Sequence, residues 1–206
     1  MRFVVWTGVE EWLTETAAVD LSDEGLRAIG TQIGAEPAPF RVDYRLEAPD
    51  DFVTRELELT ATAEGWRRRL VLRHDGVGGW SAEVEDDGEV PGGPWDGELP
   101  ELSEAHDIDI QNSPLTNTMP ILRHGLREGG SREFLMAFVL TPTLRVVASR
   151  QGYEHVHGGD GVAVVRYLSL DGDFRAELEV DEEGLLVFYP RLARRVEPHA
   201  RADRSS

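Results

Sequence analysis

The chain contains no cysteine and no lysine. Without cysteine there is no disulfide, no thiol nucleophile and no thiolate-held metal. Without lysine there is no Schiff-base chemistry, and all 21 basic residues are arginine. No apolar run approaches the roughly 18 residues of a membrane-spanning helix. The GxSxG, HExxH, GxxxxGK[ST] and GxGxxG patterns are missing, so a nucleophile elbow, a helical zinc site and the common phosphate cradles are not indicated. The opening "MRFVVWTGVEEW" turns acidic without a small-residue cleavage site. It does not read as a signal peptide, and a cytoplasmic location is the expectation.

Acidic residues are abundant. There are 39 of them, for a net charge of −18. A surface of that sign repels nucleic acid and anionic membranes, so neither is expected as a partner. An acidic, lysine-free composition fits either a salt-rich cytosol or a GC-rich genome, and composition does not separate them.

Alternation dominates what remains. In "PFRVDYRLEA" (39–48), Phe40, Val42, Tyr44 and Leu46 alternate with Arg41, Asp43, Arg45 and Glu47, the period of a half-buried strand. The segments 52–60, 66–73, 134–140, 161–170, 174–180 and 185–189 read the same way. Another strand is expected at 143–150 after Pro142. Gly- and Asp-rich turns separate strands at about ten-residue spacing, as in an antiparallel meander. Only 12–29 offers any helical pattern. The prediction is an all-β, mainly antiparallel protein of roughly ten strands, a single sheet curled into a roll or half-barrel. One domain over 1–190 and a polar tail over 191–206 are expected.

One stretch breaks the pattern. "DIDIQNSPLTNTMP" (107–120) sets Asp107 and Asp109 on alternate positions. Gln111, Asn112, Ser113, Thr116, Asn117 and Thr118 follow, bracketed by Pro114 and Pro120. On a strand both aspartates share one face, roughly 6–7 Å apart by strand rise, a spacing that acid–base hydrolysis of a glycoside or ester can use. The plainer reading is a solvated strand face followed by a turn. His155 and His157 form an i, i+2 pair, but "HVHGGDG" reads as an exposed loop, so no metal site is expected. Scattered aromatics read as core.

Several pieces resemble the putative glycolipid-binding family of bacterial and archaeal proteins. "DIDIQNSPLTNTMPILR" fits its Asp-x-Asp-x-x-x-(Ser/Thr)-Pro-x-Thr-Asn-x-x-Pro-(Ile/Val)-x-Arg signature. "PFRVDYRLEAPDDFVTREL", "GWSAEV", "SRQGYEHV" and "FRAELEVDEEGLLVFYPRLARR" are similar to other family elements in order and spacing over about 40–190. Leu115 stands where the family usually has an aromatic, and His124 where a leucine or Arg-Leu usually follows the arginine. The resemblance implies a β-rich half-barrel with polar residues gathered on its inner side, a lipid or glycolipid ligand and no cofactor.

From the motif and the Gln-x-Tyr element, the expected ligand-binding residues are Asp107, Asp109, Asn112, Thr116, Asn117, Arg123, Gln151 and Tyr153, with none catalytic and none metal-ligating. Three roles stay open for the motif: a buried ion-pair and amide network, a ligand wall, or a catalytic pair. For the protein three readings stand: first a binding module with a concave cleft, then a hydrolase using Asp107 and Asp109, or a homo-oligomer pairing its sheet edges.

Overall fold

The computed structural model describes residues 1–197. Among these described residues are fourteen strands, one short helix and a single 3-10 turn. Strands β1 (Arg2–Gly8), β2 (Leu13–Leu21), β3 (Leu26–Gly34), β4 (Phe40–Ala48), β5 (Glu56–Ala63), β6 (Trp66–His74) and β7 (Trp80–Gly88) form an antiparallel meander. After a connection over 89–106 come β8 (Asp107–Ile110), the 3-10 turn Leu115–Asn117 and helix α1 (Thr118–Arg123). The chain then continues through β9 (Ser131–Val139), β10 (Val146–Gly159), β11 (Val162–Ser169), β12 (Arg175–Val180), β13 (Leu186–Tyr189) and β14 (Ala193–Arg195). β14 pairs with β1, so both halves share one sheet of order β7-β6-β5-β4-β3-β2-β1-β14-β13-β12-β11-β10-β9-β8. The Trp6 indole donates to the Leu186 carbonyl at 2.8 Å and ties the halves together below this seam.

The sheet is open, and both edges are blunted in ways that discourage pairing with another chain. β7 is largely exposed and carries Glu83, Glu85, Asp86 and Asp87. β8 has four residues, all buried. The Ile108 amide donates to Thr54 Oγ1 and the Ile110 amide to Thr116 Oγ1, so side chains occupy its free edge. β8 is also the only strand that runs parallel to its neighbour, β9, among the described residues. A parallel pair needs a crossover, and that is what residues 111–130 supply. The polar stretch is therefore the start of a strand–helix–strand crossover, not a strand face followed only by a turn. Pro120 is tolerated because it lies in the first turn of α1, where its missing N–H is not needed.

β8 separates two apolar cores. Ile108 and Ile110 pack with Leu57, Leu59, Leu70 and Leu72 of the first half. Ile121 and Leu126 pack with Val165, Leu178 and Leu186 of the second. Asp107 and Asp109, on the opposite face of β8, look toward that second half.

Three local expectations need correction. Within 12–29, residues 13–21 and 26–29 are strand, in β2 and β3. Their alternation was blurred because polar Glu15 and Gln32 point inward, while Ile29 and Ile33 point out. "HVHGG" is not a loop: β10 runs through it, with an irregularity between His155 and His157 that breaks their same-face relation. Ala193–Arg195, expected within the tail, pairs with β1 and buries Ala193. Residues 198–206 lie outside the described residues.

Candidate functional site

The Asp107 carboxylate receives both terminal nitrogens of Arg123, with Nη1 2.8 Å from Oδ1 and Nη2 on Oδ2. Their side chains are 1% and 7% exposed, so this is a buried, two-pronged ion pair. Arg123 Nε also donates to His124 Nε2 at 3.0 Å, and the guanidinium lies over the Phe134 ring. Burial pushes Asp107 up to about 6 while the guanidinium pulls it down, so the carboxylate stays ionised at neutral pH. His124 is lowered by burial and then by Arg123 and Arg132.

Asp109 sits two residues on, bound by neutral donors only. Thr116 Oγ1 donates to Oδ1 at 2.6 Å and Gln151 Nε2 to Oδ2 at 2.7 Å. Tyr153, two residues past Gln151 on the same face of β10, places its hydroxyl 2.9 Å from Asn117 Oδ1 and 3.2 Å from Gln151 Oε1. Asn117 in turn donates to the Ser113 carbonyl at 3.1 Å. Burial raises Asp109 to about 6 against these hydrogen bonds, and neighbouring Asp107 adds to the rise.

Of the eight residues expected from the sequence, the fold thus joins Asp109, Thr116, Asn117, Gln151 and Tyr153 into one network, and Asp107 with Arg123 into a pair beside it. Asn112 stands apart, at a φ of 62° in the turn after β8. That left-handed conformation is one asparagine tolerates well.

A further carboxylate completes the cluster. Glu15 of β2 is 1% exposed. Its Oε1 accepts from the Tyr44 hydroxyl and, at 2.9 Å, from Ser113 Oγ. Tyr44 reaches it from β4 by lying across Gly30 of β3, where any Cβ would overlap the tyrosine ring. Glu15 is raised to about 7, chiefly by burial, with Asp109 contributing. The sequence held one signal for it: a carboxylate at an inward position between Leu13 and Ala17, where alternation calls for an apolar side chain.

Two cavities open on this cluster. One, of about 320 Å³, is lined by Asp109, Asn112, Ser113 and Asn117 and by the rings of Phe138, Tyr167, Phe174 and Tyr189, with Glu10, Glu11 and Arg191 also lining it. Tyr167 and Tyr189 belong to the second core as well. The other, of about 640 Å³, is lined by Asp107, Arg123, His106, His124, Arg132 and Arg150, among others. Asp107 and Asp109 share a strand face but line different cavities. Among the described residues no group of three or more His, Asp or Glu is placed to hold a metal ion.

The three raised carboxyl groups set a pH dependence. Each holds its proton more tightly folded than unfolded, so its contribution to stability is full below about pH 4 and is lost as pH rises through about 6 to 7. Asp75 and Asp86 are shifted the other way, the first by backbone N–H donors and the second by Arg68, and contribute only above the usual carboxylate range. Thermal midpoints measured from pH 4 to 9 should therefore peak near pH 5 and fall toward pH 8. A maximum at pH 7 to 8 would contradict the burial of these acids.

Comparison with known proteins agrees with the architecture. A crystal structure of a DUF1089 family protein from Pseudomonas aeruginosa is similar, with a TM-score of 0.69 and 32% sequence identity over 92% of this chain and 94% of that one. No curated protein matches. No helix among the described residues is long and apolar enough to cross a membrane. The family described as "Putative glycolipid-binding" matches residues 3–195, and the chain belongs to it.

Proposed function

We propose that the protein binds the sugar head group of a glycolipid in the 320 Å³ cavity, without chemistry on it. The observation that carries this reading is the pairing of a polar wall, Asp109, Asn112, Ser113 and Asn117, with the rings of Tyr167, Phe174 and Tyr189. Sugar hydroxyls need donors and acceptors together, and the aromatic faces cover the sugar's C–H face. The volume falls at the lower end of small-molecule sites. It suits a head group better than an acyl chain, since the space under the sheet is filled by the protein's own Leu115, Met119 and Ile121, each fully buried. The lipid tail then stays outside the cavity. In this arrangement Asp109, Asn112 and Asn117 touch the ligand. Thr116, Gln151, Tyr153 and the Asp107–Arg123 pair hold that wall in place. A hydrolase reading finds less support, because both oxygens of Asp107 are engaged by Arg123 and its cavity is the other one.

Titration with octyl glucoside below its micelle concentration tests this. Amide shifts should concentrate at 109–117 and around Tyr167 and Tyr189. Phe174, 38% exposed at the mouth, can lose its ring with little effect on the fold. Phe174→Ala should weaken binding by about tenfold, equivalent to about 1.4 kcal/mol. Lipid carried through purification from the native host, identified by mass spectrometry, would name the head group. Shifts scattered elsewhere, or binding indifferent to Phe174→Ala, would remove the cavity from consideration.

A further inference from the structure

Cations are unevenly placed between the two cavities. Arg123, Arg132 and Arg150 line the larger one, together with several carboxylates. The 320 Å³ cavity is lined by three carboxylates, Glu10, Glu11 and Asp109, and by one guanidinium, that of Arg191. Arg191 Nε already donates to both oxygens of Glu10, at 3.0 and 3.1 Å. Glu11 and Asp109 are left without a cation among the described residues. Asp109 takes its hydrogen bonds from neutral Thr116 and Gln151. A second observation concerns the tyrosines. Tyr44 and Tyr153 are buried with their hydroxyls hydrogen-bonded. Tyr167 and Tyr189 are only 9% and 6% exposed and line the cavity, yet among the described residues neither hydroxyl has a hydrogen-bond partner. Neither oxygen is sealed from solvent. Each is therefore a donor and acceptor held ready at a cavity with nothing of the protein to bind. Their rings cluster with that of Phe174, the three centroids lying 6.0 to 6.3 Å apart.

We propose that this cavity selects a head group bearing a positively charged amine, an amino sugar in its protonated form, with the ammonium on Asp109 and sugar hydroxyls on Tyr167 and Tyr189. The sugar half rests on the binding reading above. Each Asp109 oxygen accepts one hydrogen bond and keeps a further lone pair, so the carboxylate can still receive an N–H. The Asp109 charge also reaches both phenols. Tyr167 is raised by burial and then by Asp109, and Tyr189 by burial, by Tyr167 and then by Asp109. The carboxylate and the two hydroxyls therefore belong to one site of sugar size. A carboxylate held in so dry a place lacks a counter-charge, and an ammonium supplies it. A neutral polyol leaves the carboxylate as it was. A uronic or sulfated head group adds a further negative charge to a cavity that already has two unmatched ones. The aromatic rings act with the same sign wherever they turn a face to the cavity, since ring faces attract cations.

The test titrates the full chain at neutral pH and low salt with four octyl amphiphiles below their micelle concentrations: octyl glucoside, octyl glucosaminide, its N-acetyl form and octyltrimethylammonium. Octyl glucosaminide should bind about tenfold more tightly than octyl glucoside, and acetylation of the amine should remove the advantage. In Asp109→Asn the advantage should shrink to about twofold or less. Equal affinity for the amine and the neutral glucoside in wild type overturns the proposal and leaves the sugar reading standing. Octyltrimethylammonium binding as tightly as the aminoglycoside does the reverse: ammonium selection holds and the sugar reading falls. A preference for the amine that survives Asp109→Asn overturns the assignment to this carboxylate, and no binding by any of the four overturns both. Should Asp109→Asn fold poorly, two wild-type measurements decide instead. Amide shifts caused by octyl glucosaminide should gather at 109–117 and around Tyr167 and Tyr189, and the advantage of the amine should fall as NaCl is raised to about 0.5 M. Shifts gathered elsewhere, or an advantage indifferent to salt, overturn the proposal.

Discussion

Replacing Arg123 with methionine should cost about 3–5 kcal/mol of stability, enough to unfold much of the population of an ordinary domain. The cation it removes is, among the described residues, the partner of an Asp107 carboxylate that is 1% exposed, and both carboxylate oxygens are bound to it. Methionine fills the space of the arginine stem but leaves a charge in a dry site, and breaking a buried pair costs far more than making it ever contributed. Two comparisons isolate that cause. Asp107→Asn keeps the shape but strands the Arg123 guanidinium, itself only 7% exposed, so it should destabilise by a similar amount. The double variant Asp107→Leu with Arg123→Met removes both charges and should recover a large part of the loss. Asp109→Asn should cost about 1–2 kcal/mol, since Thr116 and Gln151 keep a polar partner. Urea unfolding curves for the four proteins give the ordering. A double variant no more stable than Arg123→Met alone would show that packing, rather than stranded charge, controls the corner.

How much of this could be read from the chain follows from where period-2 alternation survives. β4 alternates without exception, inward Phe40, Val42, Tyr44, Leu46 against outward Arg41 and Arg45, and was legible at once. β2 and β3 were not, because their inward faces carry the polar members of the cluster and β3 sends Ile29 and Ile33 to solvent. The places that defeat the pattern are therefore the places where the sheet buries its polar cluster. Asp107, Asp109, Asn117 and Arg123 were visible as a fixed spacing in one segment. Glu15, Gln32 and Tyr44 come from three other strands, and only the register brings them to the same point. The crossover after β8 was hidden for a different reason. The parallel pairing of β8 with β9 is a property of two strands separated by the very segment in question, and the four residues of β8 read equally well as part of a meander.

Arg68 shows the same limit from the other direction. In "WRRRLVLRH" three arginines stand in a row, and only the middle one points inward, with a fully buried side chain. Its Nε and Nη2 bind both oxygens of Asp86, its direct partner on β7, at 2.6 and 2.7 Å. The remaining hydrogens go to the Thr143 carbonyl at 2.8 Å and the Gly93 carbonyl at 3.0 Å. One guanidinium therefore joins the last strand of the first half, the 89–106 connection and the β9–β10 turn. Arg145 reaches the same connection, donating to the Gly92, Gly93 and Pro94 carbonyls, but from a more exposed position. Arg68→Met should destabilise by about 3 kcal/mol, because it removes charge-assisted bonds and leaves two carbonyls and a carboxylate short of donors. Arg145→Met should cost about 1 kcal/mol, since water replaces part of what it supplies. The difference should be local as well as global. Hydrogen exchange at the Gly93 amide, which donates to Val90, should accelerate far more in Arg68→Met than the overall loss of stability explains. If the two variants unfold at the same denaturant concentration and exchange alike, the buried guanidinium is not what holds the connection against the sheet, and the apolar contacts of Trp95 and Leu99 with the first core must be doing so instead.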